Sequence, residues 1–257
     1  MEPRIDWARK KALSVLEELE IASRDPLLEL ERICMKRGVA VKAERLDRLH
    51  GALIRHNRLI LYNKSIPELG RQRFTIAHEL GHWEMHPGLN QVFVCTAQDI
   101  QAYRGGAHEL EANAFAAELL MPSFLISDAL ARTSPSIATA VRLANWYQTS
   151  FTSAILRMIQ FTDLPAFVAF SENNRLKWYQ RSPRAHCYFF KAIGSELDGD
   201  SLARYCTDGI DEASEPEEVE ASAWFPDDFN RHRFKVLEQS VELGDYGVTV
   251  SIITVDD

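Results

Sequence analysis

Long apolar runs are missing from this 257-residue chain, and no stretch approaches the ~18 consecutive apolar residues that a membrane-spanning helix needs. Cysteine is sparse as well. Cys34, Cys95, Cys187 and Cys206 lie far apart with no C-x-x-C pair, which excludes a dense disulfide framework and leaves reduced thiols. The opening MEPRIDWARKK carries charges where a secretory signal needs an apolar stretch, so a cytoplasmic location with no membrane partner is expected. A broad positive surface is also lacking. The formal net charge of -8 divides into +2 over residues 1–160 and -10 over residues 161–257. The acidity peaks in DEASEPEEVE, Asp211 to Glu220, which is expected to be a solvated loop. An acidic C-terminal third argues against an extended phosphate-binding face there.

What remains is an ordinary globular composition, 46% apolar and 26% charged, long enough for one large domain or two modest ones. Apolar spacing predicts helices over 7–22 and 25–37, with Gly38 as a stop. Residues 39–46 and 51–63 alternate and predict short strands, paired in a hairpin at the edge of a small sheet. Ser65-Ile66-Pro67-Glu68 fits a capping box, predicting a helix from Ser65 to His86 that Pro87 ends. A looser segment of about twenty residues, with Cys95 and Gly105-Gly106, follows. The next helix is expected from Ala107 to Met121, before Pro122, with two or three more filling 123–160. After Pro165 the period changes from 3.6 to 2, in AFVAF, LKWYQ, CYFFKAI, ASAWF and YGVTVSIITV. A domain boundary is therefore expected near residue 161.

The chemistry concentrates in His78-Glu79-Leu80-Gly81-His82. Residues four apart on a helix share a face, so His78 and His82 can each aim a ring nitrogen at one ion. Glu79 lies beside that face, where it serves better as a general base than as a ligand. A catalytic zinc needs a third protein ligand. His86 continues the series, but it lies about 12 Å along the axis from His78, too far for both to reach one ion. His108, at the start of the second helix, is a candidate, and so are Glu109 and Glu111. The two glutamates point about 160° apart, so only one can face the metal. Asn113, four residues after Glu109, can hold the second nitrogen of a ligating histidine. That favours Glu109, with Glu111 left as the alternative and otherwise read as a solvated charge.

RQRFTIAHELGH followed by ELEANAFAAELLMP resembles the ImmA/IrrE family of metallopeptidases, and the likeness extends over roughly residues 10–165. The resemblance implies zinc on His78, His82 and Glu109, with Glu79 as base and Asn113 supporting a ligand. It implies that Ala112, Ala116 and Ala117 let the second helix pack closely on the first. The fold class it implies is α+β: a mainly helical, zincin-like metallopeptidase domain with a small sheet over residues 1–160. An acidic, strand-rich C-terminal domain over residues 161–257 would follow, with room for a GAF- or PAS-like sensory module. Proteins of this kind cut a partner repressor of helix-turn-helix type in stress, DNA-damage or phage-defence responses. By that likeness the partner is a helix-turn-helix repressor encoded nearby, with a nucleic-acid or small-molecule activator.

Weaker signals remain. Tyr103 and His108 are candidate donors to an oxyanion. Cys95 lies 13 residues after His82 and is a candidate fourth zinc ligand that would block water; its plainer reading is a small buried hydrophobe. The helix pair over 135–160 has no Gly in its turn and only Arg142 and Arg157 nearby, so core packing is expected over DNA reading. Trp178, Tyr179, Tyr188, Phe189 and Phe190 are expected in strands and core. The rival to a protease is a non-proteolytic zinc-containing sensor acting through its C-terminal region.

Overall fold

A computed structural model describes residues 2–21, 29–88, 92–95, 106–226, 234–244 and 247–255. The architecture is α+β, with seven helices and two sheets among these residues. None of these helices is by itself long and apolar enough to cross a membrane. The chain divides into two compact units, Met1–Leu125 with Leu143–Ser153, and Ile126–Arg142 with Ala154–Asp257.

In the first unit, α1 (Ile5–Glu18) begins two residues before the expected start and ends by Glu18, and α2 (Leu30–Lys36) falls within the expected span 25–37, of which residues 25–28 lie outside the described residues. Gly38 ends the second with φ +79°, a left-handed conformation that glycine adopts without strain. Three strands follow: β1 (Ala40–Glu44), β2 (Gly51–Ile54) and β3 (Leu59–Asn63). The expected hairpin joins β2 to β3, which pair antiparallel, whereas β1 runs parallel to the far side of β3. A fourth strand, β4 (Val92–Cys95), pairs with β2 inside the stretch expected to be loose, giving the order β1-β3-β2-β4. Its alternation is short but real, with Phe93 buried between exposed Val92 and Val94.

The long helix α3 (Leu69–Met85) begins four residues later than the Ser65 capping box predicts. Asn63 explains the delay. Its Oδ1 accepts the Ser65 N–H at 3.0 Å, and its Nδ2 donates to the carbonyls of Leu46 and Leu49, both at 2.8 Å. Ile66 then precedes Pro67, a position that disfavours helical backbone. Helix α4 (Ala107–Leu120) packs against α3 at short range. A Cβ at Gly81 would lie 3.3 Å from Ala112 Cα and 3.1 Å from Phe115 Cδ1. Glycine at that position is what allows the approach. Phe74, Leu80, Phe115 and Leu119 meet the α1 residues Ala8, Ala12 and Leu16 in one buried cluster.

Helices α5 (Ser123–Ala131), α6 (Ile137–Trp146) and α7 (Phe151–Phe161) make three where two or three are expected over 123–160. The turn between α6 and α7 is used for packing. Arg73 Nε donates to the Gln148 carbonyl at 3.1 Å, and a Cβ at Gly70 would strike Thr149 O at 2.1 Å.

The second unit carries β5 (Ala166–Glu172), β6 (Arg175–Arg181), β7 (Glu217–Glu220), β8 (Lys235–Glu242) and β9 (Val248–Thr254). They form an antiparallel sheet in the order β6-β5-β9-β8-β7. Asn173 and Asn174, with φ +52° and +55°, make the tight turn between β5 and β6. Two expected strands are absent. CYFFKAI and ASAWF fall on 3-10 turns and irregular backbone at 183–187 and 221–223. Their aromatics cap the sheet instead, with Phe190 stacked 4.7 Å from Phe167 and Trp224 and Phe225 fully buried. Phe189, expected in the core, is exposed. The acidic run, expected as a loop, ends in strand β7, where Val219 is buried between exposed glutamates.

Candidate metal centre

Helix α3 buries its middle completely, and His78, Glu79 and His82 have no exposed surface. Burying three polar side chains on one helix is costly unless each finds a partner. For the histidines the partners come from α4. His78 Nε2 lies 3.1 Å and His82 Nε2 3.3 Å from Glu109 Oε2, and the two ring nitrogens are 3.1 Å apart. On its other edge His78 Nδ1 donates to Asn113 Oδ1 at 2.9 Å. That bond puts the His78 proton on Nδ1 and leaves the Nε2 lone pair aimed at the other two donors.

Three donor atoms with mutual spacings of 3.1, 3.1 and 3.3 Å suit one small ion. A tetrahedral ion with ligands at ~2.0–2.1 Å spaces them ~3.3–3.4 Å apart. Two imidazoles and a carboxylate are also a donor set that zinc takes. The charge balance agrees. Burial pushes His82 down to about 4, which keeps it in the neutral, ligating form despite Glu109. Burial opposes protonation of His78, yet Glu109 and Glu79 together raise its pKa. Burial likewise opposes ionisation of Glu109, but the two rings hold its carboxyl well below the usual range. A divalent ion would add positive charge beside the Glu109 carboxylate.

The sheet fixes the other side. Phe93 of β4 stacks on the His82 ring with centroids 4.5 Å apart, and Arg55 donates to the His82 carbonyl. Gly51, the first residue of β2, makes room for Glu79: a Cβ there would lie 3.2 Å from Glu79 Oε1.

Glu111 departs from its expected place in solvent. It is fully buried, its Oε1 accepts the Arg4 backbone N–H at 2.9 Å and Nε at 3.1 Å, and its Oε2 lies 2.9 Å from His86 Nε2. His108 sits beside this pair, its Nδ1 3.8 Å from Glu111 Oε2 and its ring 4.7 Å from that of His86. Tyr103 and the Cys95 side chain lie outside the described residues. Sequence reasoning passed over Arg4, Gly51 and the contact made by His86. Only the last had a usable signal, its spacing of four from His82.

Residues 34–158 match the sequence model of a peptidase family described as the IrrE N-terminal-like domain. The chain is 33% identical over 119 residues to the radiation response metalloprotease IrrE of Deinococcus radiodurans, covering 44% of this chain and 34% of that protein. The protein of the same name from Deinococcus deserti is 31% identical over 134 residues, 51% of this chain and 47% of its own length. An uncharacterized immunity region protein 2 of Bacillus phage phi105 is 34% identical over 73 residues, 28% of this chain and 44% of the relative. In each case less than half of the relative is matched. Residues 34–158 thus form a metallopeptidase-type domain of the ImmA/IrrE family.

Proposed function

We propose, from that family membership, that the protein is a regulatory zinc endopeptidase in which His78, His82 and Glu109 hold the ion and Glu79 is the general base. The observation that carries the reading is the convergence of two imidazole nitrogens and one carboxylate oxygen, with the buried carboxyl of Glu79 next to His78 on α3. Zinc bound there supplies Lewis acidity toward a peptide carbonyl and lowers the pKa of water toward 7. The protein's own groups do the rest. Asn113 fixes the tautomer of His78. Glu79, enclosed by α3 and Gly51, takes the proton of the attacking water and returns it to the leaving amine.

The substrate in this reading is a helix-turn-helix repressor encoded nearby, cut in a stress, DNA-damage or phage-defence response. Two relatives named for a radiation response and one named for an immunity region support that class of role. The acidic region over residues 161–257, with its five-stranded sheet, is read as the sensor, of GAF- or PAS-like kind, that takes the activating ligand. Cys95 is read as a restraining fourth ligand. Its backbone pairs with Gly51, the residue that faces Glu79.

The test is Glu79→Gln in the full chain, incubated with the neighbouring repressor. Zinc should stay stoichiometric while cleavage falls on the order of 10²–10⁴-fold. Unchanged cleavage, or a cellular phenotype that ignores the substitution, would favour a non-proteolytic zinc sensor instead.

A further inference from the structure

A second group of donors stands next to the first. His86, His108 and Glu111 bring two ring nitrogens and a carboxylate oxygen within 4.8 Å of one another. By residue type alone this is another place for a metal ion. The hydrogen-bond polarity excludes that use while the first ion is bound. If His82 offers the Nε2 lone pair to zinc, its neutral ring carries the proton on Nδ1. That Nδ1 lies 3.0 Å from His86 Nδ1, so His86 must accept there and carry its own proton on Nε2. His86 Nε2 then donates to Glu111 Oε2 at 2.9 Å. Every group in the row is satisfied, with one direction of donation from end to end.

An ion on His86 Nε2 would move that proton to Nδ1. Two N–H groups would then face each other at 3.0 Å inside the protein, or His82 would have to surrender its Nε2 lone pair. Glu111 is also committed. The Arg4 backbone N–H and guanidinium Nε both donate to Oε1, and Nη2 lies 3.5 Å from Oε2. A cation beside that guanidinium would be repelled.

We propose that His86, Glu111 and Arg4 form a relay that positions His82 for the ion, and that they do not hold a second one. This rests on His78, His82 and Glu109 being the ligands. His86 is a positioning residue: it orients the His82 ring, fixes its tautomer and, through the charge on Glu111, raises its basicity. The residue just ahead of α1 therefore contributes to metal affinity from outside the cluster.

The experiment measures zinc stoichiometry and chelator-competition affinity on the full chain, together with the absorption bands of the cobalt form. The parent should bind one zinc. His86→Leu, which keeps bulk but neither accepts nor donates, should weaken binding about 10–100-fold and shift the cobalt bands. His86→Gln, with a carbonyl to accept and an amide to donate, should recover most of that loss. Arg4→Ala removes a half-exposed side chain and should still fold; it should weaken binding by roughly threefold to tenfold. Three results overturn the relay: a second zinc in the parent that Glu111→Gln removes, parent-like affinity and bands in His86→Leu, or unchanged affinity in Arg4→Ala. If instead His78→Ala keeps its zinc, the ligand assignment itself is wrong and the relay falls with it.

Discussion

Replacing Gly51 by Ala probes the close packing beside Glu79, the proposed base. The new Cβ would lie 2.4 Å from Thr75 Cγ2, 3.1 Å from the Leu61 carbonyl and 3.2 Å from Glu79 Oε1. Carbon atoms rest at roughly 3.5–4.0 Å, so Thr75 or the strand must give by more than ~1 Å. Thr75 has little freedom to do so. It is fully buried and its hydroxyl donates to the Arg71 carbonyl at 3.0 Å. Overpacking by one methyl costs about 1–3 kcal/mol, and relieving a strand glycine returns ~0.5–1 kcal/mol. The net expectation is a loss of about 1–2 kcal/mol. Cleavage should suffer more, because displacing the base by ~1 Å costs on the order of 10²-fold. Thr75→Ser removes the struck methyl. The double variant should then be more stable than the sum of the single changes by ~1 kcal/mol or more. Its activity should recover only in part, since the contact with Glu79 remains. Urea denaturation of the four proteins, with zinc content checked, decides the matter. Additivity within ~0.5 kcal/mol would refute the claim that Gly51 makes room against Thr75.

Glu238 is fully buried and accepts from Ser201 Oγ, the Ala203 N–H, Ser240 Oγ and Trp224 Nε1 at 2.7–3.0 Å. Glu238→Ala strands those donors and should cost about 3–5 kcal/mol; a urea midpoint close to that of the parent would contradict this. Burial pushes the Glu111 carboxyl up, but Arg4 and His86 override it and hold it at about 2. Because this pKa is depressed, its stabilisation is complete above the ordinary carboxylate range and disappears as pH falls through about 2. Arg4→Ala should move acid unfolding of the metal-free protein to higher pH, and superimposable acid titrations by circular dichroism would count against it. Cys95→Ser should raise basal cleavage of the substrate if the thiolate restrains the ion, since oxygen competes less well than sulfur for zinc; equal basal rates would dismiss the restraint.

Helices were the legible part of this fold. Their apolar stripes, the stops at Gly38, Pro87 and Pro122, and the HELGH spacing each carry a local physical meaning. Strand pairing was less legible because it depends on partners distant in sequence. Nothing in AVKAE shows that β1 will run parallel to β3. In the second unit an apolar run proved a poor guide to strands. CYFFKAI buries aromatics from irregular backbone, while KVLEQSVE forms a strand despite a charged residue at its centre. Glu238 is tolerated there because three donors from outside the strand, Ser201 Oγ, the Ala203 N–H and Trp224 Nε1, converge on it beside Ser240 of the same strand. Those three cannot be seen from the strand itself.

The same limit shaped the reading of the histidines. Spacing excludes His86 from an ion shared with His78, because eight residues of helix separate them. The step of four that disqualifies it as a ligand also sets its ring against His82 Nδ1. A ligating imidazole has two nitrogens, so the search has to continue past the metal to whatever receives the second N–H. For His78 the receiver is Asn113, four residues after Glu109 on α4. For His82 it is His86, just past the end of α3, backed by Glu111 and Arg4. The two proposed ligands thus lean on different supports. A change in α4 near Asn113 acts on His78 and Glu109 together, whereas a change at Arg4 reaches the ion through His82 alone. Asn113 bonds to His78 and Arg4 to Glu111, so the effects of Asn113→Ala and Arg4→Ala on zinc affinity should add within ~0.5 kcal/mol. Strong coupling between them would mean that the two supports are one network.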